Sequence, residues 1–232
     1  MTMTKSGGNN MTLSEAIKTR HSVRSYTNKK IEGDTLARLQ EVIKECNDKS
    51  GMHIQLCLNE PKAFSGMMAR YGKFNNVNNY IALVGKKKGN IEETYGYYGE
   101  KIVLEAQILG LNTCWVAMSY SKGKSQAVIG PEEKLFMVIS VGYGQTQGVP
   151  HKVKTIEELC GDSAADAPEW FLSGMKAAQL APTAMNQQKF RIRRNGNAVT
   201  ATAGSGFYSK VDLGIVKYHF EVGAGAADWH WE

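Results

Sequence analysis

The chain has 232 residues, 42% of them hydrophobic and 22% charged, and a net charge of +6. These proportions exclude a disordered polypeptide and leave room for one sizeable core, or for two small repeats that share one. No apolar run reaches the length of a membrane span and the start lacks the apolar core of a signal peptide, so a cytoplasmic address with no membrane partner is expected.

Residues 1–11 are polar and Gly/Asn-rich and are expected to form a disordered lead-in. Thr12-Leu13-Ser14-Glu15 has the pattern of a capping box and predicts a short helix to about Thr19. Asp34 is expected to cap a second helix, in which Leu36, Leu39, Ile43 and Cys46 recur at helical spacing. Residues 53–59 alternate, with Ile54, Leu56 and Leu58 on one face, and residues 80–84 form a short apolar run; both predict strands. The run Lys86-Lys87-Lys88 before Gly89-Asn90 reads as a solvated turn. Residues 95–109 are apolar around most of a helical circumference and so predict a helix enclosed by protein, stopped by Gly110. Strands are expected at 113–117 and 135–141.

Residues 161–168 have the composition of a linker. Pro168 suits the first turn of a helix to about Leu180. Asn195-Gly196 between two strand-like runs, 190–194 and 198–203, signals a hairpin. A last helix over about 209–222 leads to a strand-like 227–231.

The two parts of the chain share an element order. Gly99 precedes Gly110 by eleven residues and Gly214 precedes Gly225 by the same interval, each pair bracketing a mostly apolar helix followed by a Trp. The expected organisation is therefore a duplication, with a first half over 12–160 and an incomplete second half over 169–232, together one globular unit.

Arg20-His21-Ser22-Val23-Arg24 gathers two guanidinium groups, an imidazole and a hydroxyl in five residues. In an extended segment Arg20, Ser22 and Arg24 share a side, which suits a grip on phosphate oxygens through charge-assisted hydrogen bonds. A solvated basic turn would show the same residues. The second half has no such segment, so any ligand site built on it occurs once per chain. Cys46, Cys57, Cys114 and Cys160 are widely spaced, with no His cluster at ligand spacing, so no metal site and no disulfide framework are expected. The basic charge lacks an aromatic-basic pattern or a reading helix, which argues against nucleic acid.

The chain resembles the FMN-dependent nitroreductase family. Members open with a helix followed by Arg-[Arg/His]-Ser-x-[Arg/Lys], similar to Arg20, His21, Ser22 and Arg24 here, and the resemblance implies that these four hold the FMN phosphate. Leu109-Gly110-Leu111 is similar to the family's passage from long helix to strand, and implies backbone donors near the flavin at Ala117 and Met118, where many members have Glu-Gly. Lys152 and Lys154, before Ile156-Glu157-Glu158-Leu159, resemble the family's closing basic pair; the resemblance implies that they complete the phosphate site, while the residues alone also read as surface charge. Ala181-Pro182-Thr183-Ala184-Met185-Asn186-Gln187-Gln188 is similar to the family's Ala-Pro-Ser-x-x-Asn-x-Gln, and implies that Pro182, Thr183, Ala184, Asn186 and Gln188 lie against the flavin ring. That loop lies far along the chain from the Arg-Ser segment, whereas in ordinary members it follows by about one helix and meets the flavin from the partner subunit. The resemblance is thus to a branch with two half-domains fused in one chain.

What it implies is an α+β nitroreductase-like fold, internally duplicated as a pseudo-dimer, with central sheets flanked by helices around one FMN. The implied activity is that of an oxidoreductase passing reducing equivalents from NAD(P)H to a nitroaromatic, quinone or similar small acceptor, with the chemistry at flavin N5 and no catalytic side chain required. The alternative is a flavin-binding or regulatory module without turnover, and the chain is expected to be a pseudo-dimeric monomer or a homodimer.

Overall fold

The computed structural model describes residues 11–87, 89, 91–164 and 166–232. All but Met11 of the expected lead-in, and Lys88 and Asn90 of the expected basic turn, lie outside these. Helix α1 (Leu13–Thr19) begins at the expected capping box: the Thr12 hydroxyl accepts from the Glu15 amide at 3.2 Å and the Glu15 carboxylate accepts from the Thr12 amide at 2.7 Å. Helix α2 (Gly33–Ser50) departs from expectation at its start. Glu32 is the N-cap, with no side-chain cap bond, and Asp34 lies inside the first turn, where its charge meets the positive end of the helix instead. Leu39, Val42, Ile43 and Cys46 form the buried stripe.

Strands β1 (Gln55–Cys57), β2 (Tyr80–Lys86), β3 (Asn112–Val116) and β4 (Glu133–Gly142) form a four-stranded sheet in the order β1-β2-β4-β3, antiparallel throughout. The connection from β1 to β2 carries a helix that the sequence reading passed over, α3 (Met67–Tyr71), five residues with one buried side chain and no helical stripe. The connection from β2 to β3 is α4 (Glu92–Ile108), buried on most of its circumference and followed by Gly110 at φ 76°.

A second capping box, Thr155 with Glu158, starts α5 (Ile156–Cys160). A single 3₁₀ turn at Gly161–Ala164 occupies the first half of the expected linker. Pro168 is the N-cap of α6 (Glu169–Gln179). Strands β5 (Phe190–Asn195) and β6 (Ala198–Ala203) form the hairpin, but Asn195 pairs with Ala198, so the turn residues are Gly196 and Asn197. Gly196, at φ 60°, holds the first central position, the place a type II′ turn gives to Gly. Helix α7 (Ser209–Ala224) then leads to β7 (His230–Trp231), parallel to β6.

One apolar cluster runs through both parts of the chain, joining Leu39 of α2 and Ile102 of α4 to Phe171 of α6 and Phe220 of α7. At its centre α4 and α7 touch backbone to backbone. A Cβ on Gly96 would lie 1.9 Å from the Val211 carbonyl oxygen, and a Cβ on Gly214 would lie 1.9 Å from that of Glu93. The sequence spacing matched Gly214 to Gly99; across this crossing its counterpart is Gly96, while Gly99 makes room for the Trp115 ring, which a Cβ would meet at 2.4 Å.

Candidate functional site

The segment after α1 runs beside the edge strand β3. Ser22 bridges to Thr113, and the Val23 amide donates to the Thr113 carbonyl at 3.0 Å. Because the segment is extended here, Val23 points into the core while Ser22 and Arg24 face the opposite way, into a cleft of about 440 Å³. Arg20 does not share that side. It is the C-cap of α1, its side chain is buried, and its Nε lies 3.8 Å from Glu100 Oε1. Its Nε and Nη1 have no hydrogen-bond partner among the described residues.

The cleft has two mostly apolar walls. The first half supplies Trp115, Val116, Ala117 and Met118 at the end of β3, with Met137 from β4; the second supplies Pro182, Thr183, Ala184 and Met185, with Val211 and Ile215 from α7. Three residues of the 182–188 loop, Met185, Asn186 and Gln188, have φ between 45° and 53°, and Tyr208, also at the cleft, has φ 58°. Left-handed backbone costs a non-Gly residue about 1–2 kcal/mol, so bonds elsewhere must hold the loop in this shape. Asp212, on the first turn of α7, accepts from the Ala184 amide at 3.0 Å through Oδ1 and from Gln187 Nε2 at 2.8 Å through Oδ2. Burial pushes the Asp212 carboxyl up to about 6, against the downward pull of those two hydrogen bonds. On the other flank, Asn186 Nδ2 and Gln188 Nε2 donate to the Lys152 carbonyl, and Gln188 Oε1 accepts from the Lys154 amide.

Of the residues predicted from sequence, Ser22, Arg24, Ala117, Met118, Pro182, Thr183 and Ala184 line the cleft. Arg20, His21, Lys152, Lys154, Asn186 and Gln188 are not part of its wall. The last four are bonded to one another: Lys152 and Lys154 are fastened to the loop through their backbones, and Lys154 Nζ donates to the Gln188 carbonyl at 3.1 Å. His21 packs beside Gly148, and its imidazole is held below the usual range by burial, then by Arg20 and His151.

Sequence reasoning missed Asp212 and the network behind Trp115. The Trp115 indole donates to Glu100 Oε2 at 2.8 Å, and Glu100 Oε1 meets His219 Nε2 at 2.9 Å, with both acid and imidazole fully buried. His219 Nδ1 faces the Ala177 carbonyl at 3.1 Å and so donates to it. Asp212 did carry a signal, as the one acid within the apolar run 211–216; Glu100, one of four acids in α4 and followed by Lys101, did not stand out. Among the described residues there is no group of three or more His, Cys, Asp or Glu suited to a metal ion, and the four cysteines are unbridged.

Residues 12–224 match the family described as "Putative TM nitroreductase". Among solved structures, a "putative nitroreductase" from Thermotoga maritima matches with a TM-score of 0.65 at 23% identity, over 91% of this chain and 83% of that one. A "putative nitroreductase in complex with FMN" from Desulfovibrio desulfuricans matches with a TM-score of 0.50 at 16% identity, over 63% of this chain and 94% of that one. A variant of an FMN and NADPH-dependent nitroreductase from Sphingopyxis matches with a TM-score of 0.51 at 12% identity, over 64% of this chain and 97% of that one. These likenesses establish the mixed α+β fold. No curated protein matches the chain.

Proposed function

Because the chain belongs to this nitroreductase family, we propose that the cleft binds FMN and that the protein passes electrons from NADH or NADPH to a small, flat acceptor such as a nitroaromatic or a quinone. The observation that carries this reading is the cleft itself: a slot between two apolar walls, with Ser22 and Arg24 at its edge and walls drawn from both parts of the chain. Its volume is in the range of cofactor pockets.

The residues present fit the cofactor. The Arg24 guanidinium makes no hydrogen bond to a described residue and stacks 5.9 Å over the Phe74 ring, so its donors are available to a phosphate. Arg20, turned inward beside Glu100 and outside the cleft wall, is not counted among the phosphate donors. Ser22 adds a hydroxyl, and the backbone at Ala117 and Met118 borders the slot. When bound, FMN supplies the hydride chemistry, accepting two electrons from a nicotinamide and releasing them to the acceptor. The chain's own contribution is to hold the phosphate, keep water from the slot with apolar walls, and fix the 182–188 loop through Asp212, Asn186 and Gln188. No side chain in the slot is required as a proton donor.

We propose further that the chain is an internally duplicated pseudo-dimer with one such site. The reciprocal crossing of α4 and α7 supports this, since equivalent glycines admit equivalent carbonyls. So does the extent of the likenesses: the shorter nitroreductases match about three-fifths of this chain with nearly all of their own length.

The test is direct. Purified protein should be yellow or take up added FMN, bleach with NADH or NADPH under argon, and recover its colour with a quinone or nitroaromatic. Protein that neither holds nor takes up FMN overturns the reading, and flavin that no nicotinamide reduces leaves only the binding module. Replacing Arg24 with Ala should weaken FMN binding roughly tenfold to a hundredfold, the worth of one charge-assisted hydrogen bond.

A further inference from the structure

Beside the mouth of the cleft lies a surface that the flavin reading does not use. Helix α3 is anchored at both ends against the segment that follows β3. A Cβ on Gly66 would meet Ser121 Oγ at 2.9 Å, a Cβ on Gly72 would meet Ser119 Cβ at 2.6 Å, and the Ser121 amide donates to the Ala63 carbonyl. Ala69 is the one side chain that α3 buries. The remaining apolar side chains point to water: Met67 is 85% exposed, Tyr71 84% and Met68 50%, with Met118 of the cleft rim at 67%. Exposed apolar side chains gathered on one short helix call for a partner, whereas scattered ones do not.

The exposed charge on these two segments has one sign; the adjoining acid, Glu60, is buried and bonded to the Lys62 amide and the Tyr80 hydroxyl. Lys62, Arg70, Lys73, Lys122 and Lys124 are all exposed on the same two segments, and among the described residues none of them forms an ion pair. The sequence has no Asp or Glu at all from residue 61 to residue 91, nor from residue 106 to residue 131. Elsewhere acids are plentiful, as on the outer face of α2, where Glu41, Glu45 and Asp48 pair with Arg38 and Lys44.

We propose that this face docks reversibly on an anionic lipid surface, with Met67, Met68 and Tyr71 in the headgroup region and the surrounding cations against lipid phosphates. An apolar tip ringed by unpaired Lys and Arg is the combination that a charged bilayer interface selects, with two modest contributions acting together. A second copy of the chain is a poor occupant. A two-fold contact through this patch would set five unpaired cations against five more. The mode is attachment from one side, because no helix among the described residues is long and apolar enough to cross a membrane. This departs from the expectation, based on the missing span, that the chain has no membrane partner; a span and a docking face are different signals. Docking itself does not rest on the flavin reading. On that reading it turns the cleft mouth, with Gly72 and Met118 at its edge, toward apolar acceptors dissolved in the leaflet.

The test is co-sedimentation of the full chain with vesicles of phosphatidylcholine containing phosphatidylglycerol, beside vesicles of phosphatidylcholine alone. Binding is expected only to the anionic vesicles, and should be lost at about 1 M salt, where screening shortens to roughly 3 Å. The K62Q/R70Q/K73Q variant should bind roughly a hundredfold less. The M67S/M68S/Y71S variant should bind roughly tenfold less or weaker still. All six side chains are exposed, so unchanged thermal midpoints and FMN content will show that both variants fold. Wild-type protein that stays in the supernatant, binds both vesicles equally, or binds as well in either variant overturns the proposal. So does capture by polyglutamate without vesicle binding, which would assign the patch to an acidic protein. A dimer in sedimentation equilibrium that M67S/M68S/Y71S alone dissociates would assign the tip to a second copy. Flavin colour is read separately, so failure of the docking and failure of the flavin reading are distinguishable.

Discussion

Asp212 sits among apolar neighbours on the first turn of α7, and its two hydrogen bonds hold the loop that closes one wall of the cleft. Its carboxyl is raised from an ordinary value of 3.8 to about 6, chiefly by burial, so the folded chain holds this proton more tightly than the unfolded chain does. Its contribution to stability is therefore greatest below about pH 4, falls as pH rises through about 6, and is flat above. The difference in pKa corresponds to about 3 kcal/mol. Urea titrations of wild type and Asp212→Asn from about pH 4 to about pH 8 should show the wild type losing stability relative to the variant over the lower half of that range. A difference independent of pH would refute the assignment. Gln188 is the second side chain on which the loop depends, being buried and bonded to both Lys152 and Lys154. Replacing it with Ala leaves the Lys154 amide without its partner and should cost about 1–3 kcal/mol. The exposed Asn186, with one such bond to Lys152, should cost less when replaced by Ala; equal losses in urea midpoints would argue against this ranking.

At the scale of elements, the tightest fit is the crossing of α4 and α7. Ala at Gly96 or Gly214 would drive a methyl group into a carbonyl oxygen of the facing helix, and backbone cannot move aside as a flexible side chain can. Each substitution should destabilise by about 3 kcal/mol or more, or prevent folding, whereas Ala at Gly123, which has nothing within 4 Å, should be neutral. Thermal midpoints and soluble yield of the three variants decide it. The two capping boxes make a milder case: Thr12→Ala and Thr155→Ala should each cost about 1 kcal/mol. Several elements were readable in advance from local signals, though the Thr155 box, equally local, was not read as a helix start, and Asp34 was read as a cap that Glu32 provides. The Thr12 box, the stripe of α2 and the alternation of Ile54, Leu56 and Leu58 are fixed by residues within a turn or two of one another. Helix α3 was missed because its sequence, Met-Met-Ala-Arg-Tyr, buries only Ala69 and leaves no stripe to detect. The hairpin was anticipated but its turn was placed one residue early, because Asn-Gly and Gly-Asn both suit tight turns and only the pairing of Asn195 with Ala198 selects between them.

At the scale of the molecule, Glu100 joins the two parts of the chain, receiving Trp115 from the first and meeting His219 from the second in full burial. Glu100→Ala would strand both partners, along with the neighbouring Arg20, and should cost about 3–5 kcal/mol in a denaturant titration. A pseudo-dimer with one phosphate grip should also saturate at one FMN per chain, and a measured ratio of two would refute it. The sequence by itself determined the start of α1 at the Thr12 box, the strand faces, the membership of Ser22, Arg24 and the 182–188 loop in recognisable motifs, and the single occurrence of the Arg-Ser segment. These depend on residue type and short spacing, which chemistry fixes before the chain folds. Only the tertiary structure decided that Arg20 turns inward while Ser22 and Arg24 face the cleft, and that Gly96 is the counterpart of Gly214. It alone showed Asp212 holding the loop in its left-handed shape, and α3 presenting its methionines and Tyr71 beside the cleft mouth within a ring of cations. The reason is physical: burial, close backbone approach and the side a residue faces are set by contacts between segments a hundred residues apart, and no local pattern encodes them.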